Sequence, residues 1–98
     1  MEGDDEQTEA FALKFLVSRH AQQEILRRQI PRELLESLLE NPQQRVPQPG
    51  GMQILQSRLE FEDGRMYLLR AVVAIDKEPP VVVTAYRTTK IEKYWRPE

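Results

Sequence analysis

The sequence predicts an α+β domain in which two helices pack on one face of a three- to four-stranded antiparallel sheet, in the order β-α-α-β-β-β. Three observations lead there. Hydrophobic residues alternate up to Val17, then recur with the spacing of a helix, then return to strand character from Met52 onward. An Asp63-Gly64 pair separates two apolar runs, which is a hairpin signal. The run Met66–Ile75, and the start of Val81–Thr88, are apolar on both faces, as strands inside a sheet tend to be.

Each element has its own local reason. Phe11, Leu13, Phe15 and Val17 alternate with Ala12, Lys14 and Leu16 and form the first strand. Ser18 follows at an N-cap position, where a hydroxyl accepts from a free helical N–H. From Arg19 to about Gln29 the chain reads as a helix with a narrow apolar stripe of Ala21, Ile25 and Leu26. Ile30-Pro31 restarts it, because proline suits a helix's first turn and not its interior. Leu34, Leu35, Leu38 and Leu39 give the second helix a buried face, and Asn41-Pro42 ends it. Residues 43–51 hold two prolines, two glycines and several glutamines and read as a loop. Met52–Phe61 is the second strand, Met66–Ile75 the third, and Val81–Thr88 the fourth. Beyond Thr89 a helical turn is expected around Ile91, Tyr94 and Trp95. Leu34, Leu38, Val73 and Val83 are the expected core.

The chain is 98 residues long, so residues 11–98 are expected to form one domain behind an acidic, disordered leader at 1–10. The net charge of -2 conceals that division. Residues 1–9 carry five acids and no cation, which leaves 14 cations against 11 acids from residue 10 onward. The body is therefore mildly basic. With no cysteine there is neither a disulfide framework nor a thiolate metal site, which fits a reducing cytoplasm. His20 is the single histidine, and zinc sites draw on several His or Cys ligands, so no metal and no cofactor is expected. The apolar runs are too short for a membrane span, and no secretory signal is visible. The expected location is cytoplasmic.

Three groups of residues could carry chemistry. His20 lies in the first turn of its helix, with Glu24, Arg27 and Arg28 following at helical spacing. It is either a proton carrier or a solvated residue beside a strand–helix junction. Arg70 interrupts the apolar run Leu68-Leu69-Arg70-Ala71-Val72-Val73. A guanidinium there must find a carboxylate such as Glu36 or Glu60, or face a cleft or solvent. Thr84, Tyr86, Thr88 and Lys90 share parity on or just past the last strand and would line up two hydroxyls, a phenol and an amine. Tyr86 is otherwise a half-buried strand aromatic. Tyr94 and Trp95 either stack on bases or close the end of the core. Phosphate needs fixed cations and neutral donors, and the basic-aromatic ending from Arg87 to Arg96 supplies both. There is no Gly-rich phosphate loop, HExxH motif or nucleophile elbow.

Several of these residues also carry a resemblance. Val17-Ser18-Arg19-His20-Ala21, Arg27-Arg28-Gln29-Ile30-Pro31 and Glu40-Asn41-Pro42, with the ending from Val83 to Trp95, resemble a small prokaryotic domain family of unassigned function. That family is similar to the RelE-like toxins of the barnase–EndoU–colicin–RelE grouping of metal-independent RNases. The resemblance covers about residues 11–96 and implies the same two-helix, antiparallel-sheet scaffold. It also implies RNA cleavage by attack of a 2′-hydroxyl on the adjacent phosphate. Carried onto this sequence, the helix histidine is His20, the strand cation is Arg70, and the last-strand polar residues are Thr84, Tyr86 and Thr88.

Two functions follow as expectations. One is a metal-independent endoribonuclease, the toxin of a toxin–antitoxin pair, with RNA as substrate and an antitoxin-like protein as partner. With one histidine, His20 would take one proton-transfer role and Tyr86 the other, while Arg70 and Lys90 hold the phosphate and Arg28, Thr84 and Thr88 line the substrate path. The other is a non-catalytic protein- or RNA-binding module on the same scaffold. Convergence of His20, Arg70 and Tyr86 on one phosphate-sized space separates them. Arg70 stands opposite Tyr86 if paired residue numbers across that hairpin sum to 156.

Overall fold

A computed structural model describes residues 14–97 in full and residues 8–11 as backbone. Among these residues six strands and three helices follow in the order β1 (Thr8–Phe11), β2 (Phe15–Ser18), α1 (Arg19–Arg27), α2 (Arg32–Glu40), β3 (Gln44–Gln48), β4 (Met52–Glu60), β5 (Met66–Ala74), β6 (Val81–Thr88) and α3 (Ile91–Tyr94). The strands make one sheet in the order β1-β2-β6-β5-β4-β3. Among the described residues no helix is long and apolar enough to cross a membrane.

The α+β class and the strands Val81–Thr88 and Met66–Ala74 follow the sequence reading, but the sheet is larger than expected and mixed. Two physical causes account for the difference. Pro47 marks a loop to a sequence reader, yet a proline is tolerated on a sheet edge, where its missing N–H points away from any partner. Gln44–Gln48 is such an edge strand, paired antiparallel with β4. The pairing is closed by Gly50 and Gly51, both at φ 75, a conformation that side chains disfavour. The second cause lies at the other edge. The single first strand expected between Phe11 and Val17 is two strands, and β2 runs parallel to β6 through Leu16↔Val81 and Val17↔Val82. That parallel pair replaces the purely antiparallel sheet. The expected leader, 1–10, lies outside the described residues as far as residue 7, and Thr8–Ala10 belong to β1.

Ser18 caps α1 as its position implies, its hydroxyl accepting from the Ala21 N–H at 3.1 Å. That hydroxyl also donates to the Val83 carbonyl, so one side chain ties β2, α1 and β6 together. Pro31 stands at the N-cap of α2, its carbonyl accepting from Leu34 and Leu35. Ala21 of α1 and Leu35, Leu38 and Leu39 of α2 pack with Leu55, Leu69, Ala71, Val73, Val82 and Ala85. On β5 these are the odd positions, so α1 and α2 cover the same face of the sheet. Leu38 and Val73 are fully buried, whereas Leu34 is half-buried. Leu26 is 79% exposed and lies off the buried stripe. Val83 is half-buried because a bulge falls beside it: Val72 pairs with Thr84 but Val73 pairs with Val82, so Val82 takes the core place.

Candidate functional site

The opposite face of the sheet is polar at its centre. Even positions of β4 and β5, and of β6 past Val83, point there, and three of them meet: Gln56 pairs with Arg70, and Arg70 pairs with Tyr86. The pairing of Arg70 with Tyr86 is the register whose residue numbers sum to 156. Arg70 Nε donates to Gln56 Oε1 at 2.8 Å, and Arg70 Nη1 donates to the Tyr86 hydroxyl. The guanidinium carbon lies 4.1 Å from the centre of the Tyr94 ring and 5.7 Å from that of Tyr86. Arg70 is 7% exposed, and Gln56 is fully buried. Among the described residues no carboxylate pairs with Arg70. Glu36 sits within 3.8 Å of Arg32, so the structural ion pair that sequence allowed to Glu36 or Glu60 is replaced by neutral acceptors and an aromatic ring.

Glutamine amides hold the cover over this cation. Gln56 Nε2 donates to Gln44 Oε1 at 2.7 Å and to the Tyr94 carbonyl at 3.1 Å. Gln44 in turn grips the Arg96 backbone at both ends, donating to its carbonyl at 2.7 Å and accepting from its N–H at 3.0 Å. The segment from α3 to Arg96 is therefore strapped across the polar face. The helical turn expected beyond Thr89 is present, and it brings Tyr94 over Arg70 and Trp95 to Arg58, whose guanidinium carbon is 4.2 Å from the indole centre. Lys93 Nζ lies 5.3 Å from the Tyr94 ring centre. Cations and rings thus alternate along the face, in the order Arg28, Tyr86, Arg70, Tyr94 and Lys93, with Arg58 and Trp95 as a second pair.

The expected site residues divide. Arg70, Tyr86 and Arg28 come together, Arg28 lying 5.8 Å from the Tyr86 ring centre. Thr84 and Thr88 pair with Val72 and Leu68, so they share the Arg70 face to either side of Tyr86. The Thr88 hydroxyl is already engaged, accepting from the Lys90 N–H at 3.0 Å, and Lys90 itself is exposed at the head of α3. His20 is exposed at the other end of α1 from Arg28, about 12 Å along the axis at 1.5 Å per residue. Among the described residues it makes no hydrogen bond, ion pair or ring contact with Arg70 or Tyr86. Sequence reading missed Gln56 and Gln44, whose neutral amides signal nothing alone.

Glu24 does not serve His20. It accepts from Arg27 Nη2 at 2.7 Å and from Arg28 Nε at 2.8 Å. The bond from Arg27, then that from Arg28, lowers its carboxyl from 4.5 to about 2. A depressed carboxylate contributes stability above its ordinary value and loses it as pH falls through the folded value. The melting temperature of the protein should therefore fall more between pH 4.5 and about 2 than that of Glu24→Gln. The difference should be modest and should shrink in salt, because Arg27 is 64% exposed. Equal slopes for the two proteins would refute it.

Residues 17–87 match the family described as a domain of unknown function, DUF4258. No curated protein and no solved structure matches the chain.

Proposed function

We propose that this chain, which belongs to the DUF4258 family, is a non-catalytic module that binds single-stranded RNA across the face carrying Arg70. The observation behind this reading is the alternation of cations and rings around a buried guanidinium that has no carboxylate partner among the described residues. A cation removed from water without a counter-charge leaves a positive potential at the surface above it, which favours an anion there. Arg28, Lys93 and Arg58 lie at the rim, where phosphates could reach them, and Tyr86, Tyr94 and Trp95 offer ring surface for bases. Among the described residues His20 makes no contact with Arg70 or Tyr86, which favours binding over catalysis.

The test is fluorescence anisotropy with a labelled single-stranded oligonucleotide over a salt series. Each phosphate contact on a single strand contributes a slope of roughly -0.7 in log K against log salt. Arg58→Ala and Lys93→Ala should each weaken binding by about threefold to tenfold and flatten that slope by about one contact. Both side chains are at the surface, so folding should survive. Absence of binding at low salt, or a slope indifferent to both changes, would refute the reading.

One observation favours the second reading, a metal-independent endoribonuclease of RelE-like descent with an antitoxin-like partner. The Tyr86 hydroxyl accepts from Arg70, an arrangement suited to a phenol that exchanges a proton beside a phosphate. Cleavage of the same oligonucleotide in EDTA, lost in Tyr86→Phe, would favour it over simple binding.

A further inference from the structure

The other face of the sheet holds a second arginine with no hydrogen-bond partner among the described residues. Arg87 pairs with Leu69 on β6, so it points to the side of α1 and α2, away from Arg70. It is half-buried, and its guanidinium carbon lies 4.8 Å from the Phe61 ring centre and 4.6 Å from that of Tyr67. Those rings meet edge to face, with centres 4.8 Å apart. Cation–ring contacts hold a guanidinium in orientation without using its N–H groups. Among the described residues none of those N–H groups donates a hydrogen bond. The group opens into a pocket of about 290 Å³ lined by Gln29, Pro31, Phe61, Glu62, Asp63 and Arg87.

One of the two acids at the wall is already engaged. Asp63 accepts from the Tyr67 hydroxyl at 2.6 Å and from the Arg65 N–H at 3.0 Å, one bond on each carboxylate oxygen. It offsets the charge of Arg87 without filling its donors. A further observation concerns Gln29, which sits at φ 55, the one non-glycine residue at positive φ among the described residues. Its N–H donates to the Leu26 carbonyl and the Ile30 N–H to the Ile25 carbonyl, the pattern in which glycine is the usual choice. An amide-bearing residue occupies the strained position instead, and it lines the pocket.

We infer that this pocket binds a carboxylate, held by the free edge of Arg87 and by the side-chain amide of Gln29. A planar guanidinium matches a carboxylate in a two-point contact. Glu62 and Asp63 at the wall disfavour a dianion more than a monoanion, which selects carboxylate over phosphate. The volume lies near the lower end of small-ligand sites, so the ligand is a small carboxylate or the terminal carboxylate of a peptide. This site is independent of the RNA reading, because it uses the opposite face of β6.

The test is a nitrogen–proton NMR titration that follows the Arg87 Nε–H signal, with sodium acetate and trialanine as probes and inorganic phosphate as the contrast at matched ionic strength. A saturable shift with acetate or trialanine is expected, and tighter binding of trialanine would identify a chain terminus as the source. Arg87→Gln should abolish the saturable shifts of neighbouring amides, and Arg87→Lys should weaken binding about tenfold, since it keeps the charge and loses the fork. Gln29→Gly separates binding from folding. It should raise the melting temperature by a few degrees by relieving the positive φ, yet weaken binding several-fold. No saturable shift with either carboxylate, an unchanged titration in Arg87→Gln, phosphate binding tighter than acetate, or Gln29→Gly binding as tightly as the parent would each overturn the assignment.

Discussion

Arg70→Ala is expected to destabilise the protein by about 3 kcal/mol, the largest effect of any single change on the polar face. The magnitude comes from opposing terms. Removing the cation relieves its own desolvation, which by itself favours the variant. Against that, the fully buried Gln56 loses the donor to its Oε1, and an orphaned buried acceptor costs about 1–3 kcal/mol. The Tyr94 ring loses its cation at 4.1 Å, worth about 1–2 kcal/mol when desolvated, and a void opens between β5 and α3. The losses win. In a domain of this size the melting temperature should drop by roughly 12–24 °C. Arg70→Lys should fall between the two proteins, because a point charge keeps the ring contact but cannot reach Gln56 and Tyr86 at once. Urea unfolding with an unchanged m value would measure the effect. A cost under about 0.5 kcal/mol would mean that Gln56, Tyr86 and Tyr94 do not depend on Arg70.

Leu38→Ala is expected to cost a further-reaching 2–5 kcal/mol, about 3 as a central value. Leu38 is fully buried where α2 meets β4 and β5, so the lost methyl groups leave a cavity that neighbours on a sheet and a helix cannot readily collapse into. The paired control is Leu26→Ala on α1, at 79% exposure, which should change stability by less than about 0.5 kcal/mol. Comparable costs at the two positions would contradict the packing described for both helices.

The contrast between these leucines shows where sequence reading reached and where it stopped. On α2, Leu35, Leu38 and Leu39 repeat often enough to define one buried face, and that face is the one buried. On α1, with Ala21 as its one buried residue, too few apolar positions exist to fix the rotation, so helical spacing alone places Leu26 in a stripe it does not join. The bounds of β6 were legible, because its apolar start and polar end differ in character, but the bulge that moves Val83 out of the core was not. β3 was not, since Pro47 looks the same in a loop and on an edge. The parallel pairing of β2 with β6 joins residues 65 apart in sequence, and no local pattern encodes it.

The candidate site was legible in part for the same reasons. Arg70 stood out because a cation is costly in an apolar strand, and Tyr86 followed from register. Gln56 could have been found the same way. The Asp63-Gly64 hairpin closes with Phe61 N–H donating to the Arg65 carbonyl, and counting back along both strands from that closing pair sets Gln56 beside Arg70. Gln44 depended on recognising β3, and the position of His20 depended on the direction in which α1 leaves β2, which spacing does not specify.

The bulge beside Val83 has a consequence for inheritance of the two faces. A strand is a two-stroke device, and inserting one residue exchanges inside for outside for everything downstream. Val82 and Ala85 both serve the core because the extra residue lies between them, and Thr84, Tyr86 and Thr88 are thereby released to the other side. Without it, a β6 anchored by Val82 would turn Tyr86 under the helices and lift Ala85 and Arg87 out. One unpaired residue thus sets which arginine meets which ligand: drawing Val83 into the ladder would exchange the chemistry of the two surfaces, whereas deleting it would leave both as they are.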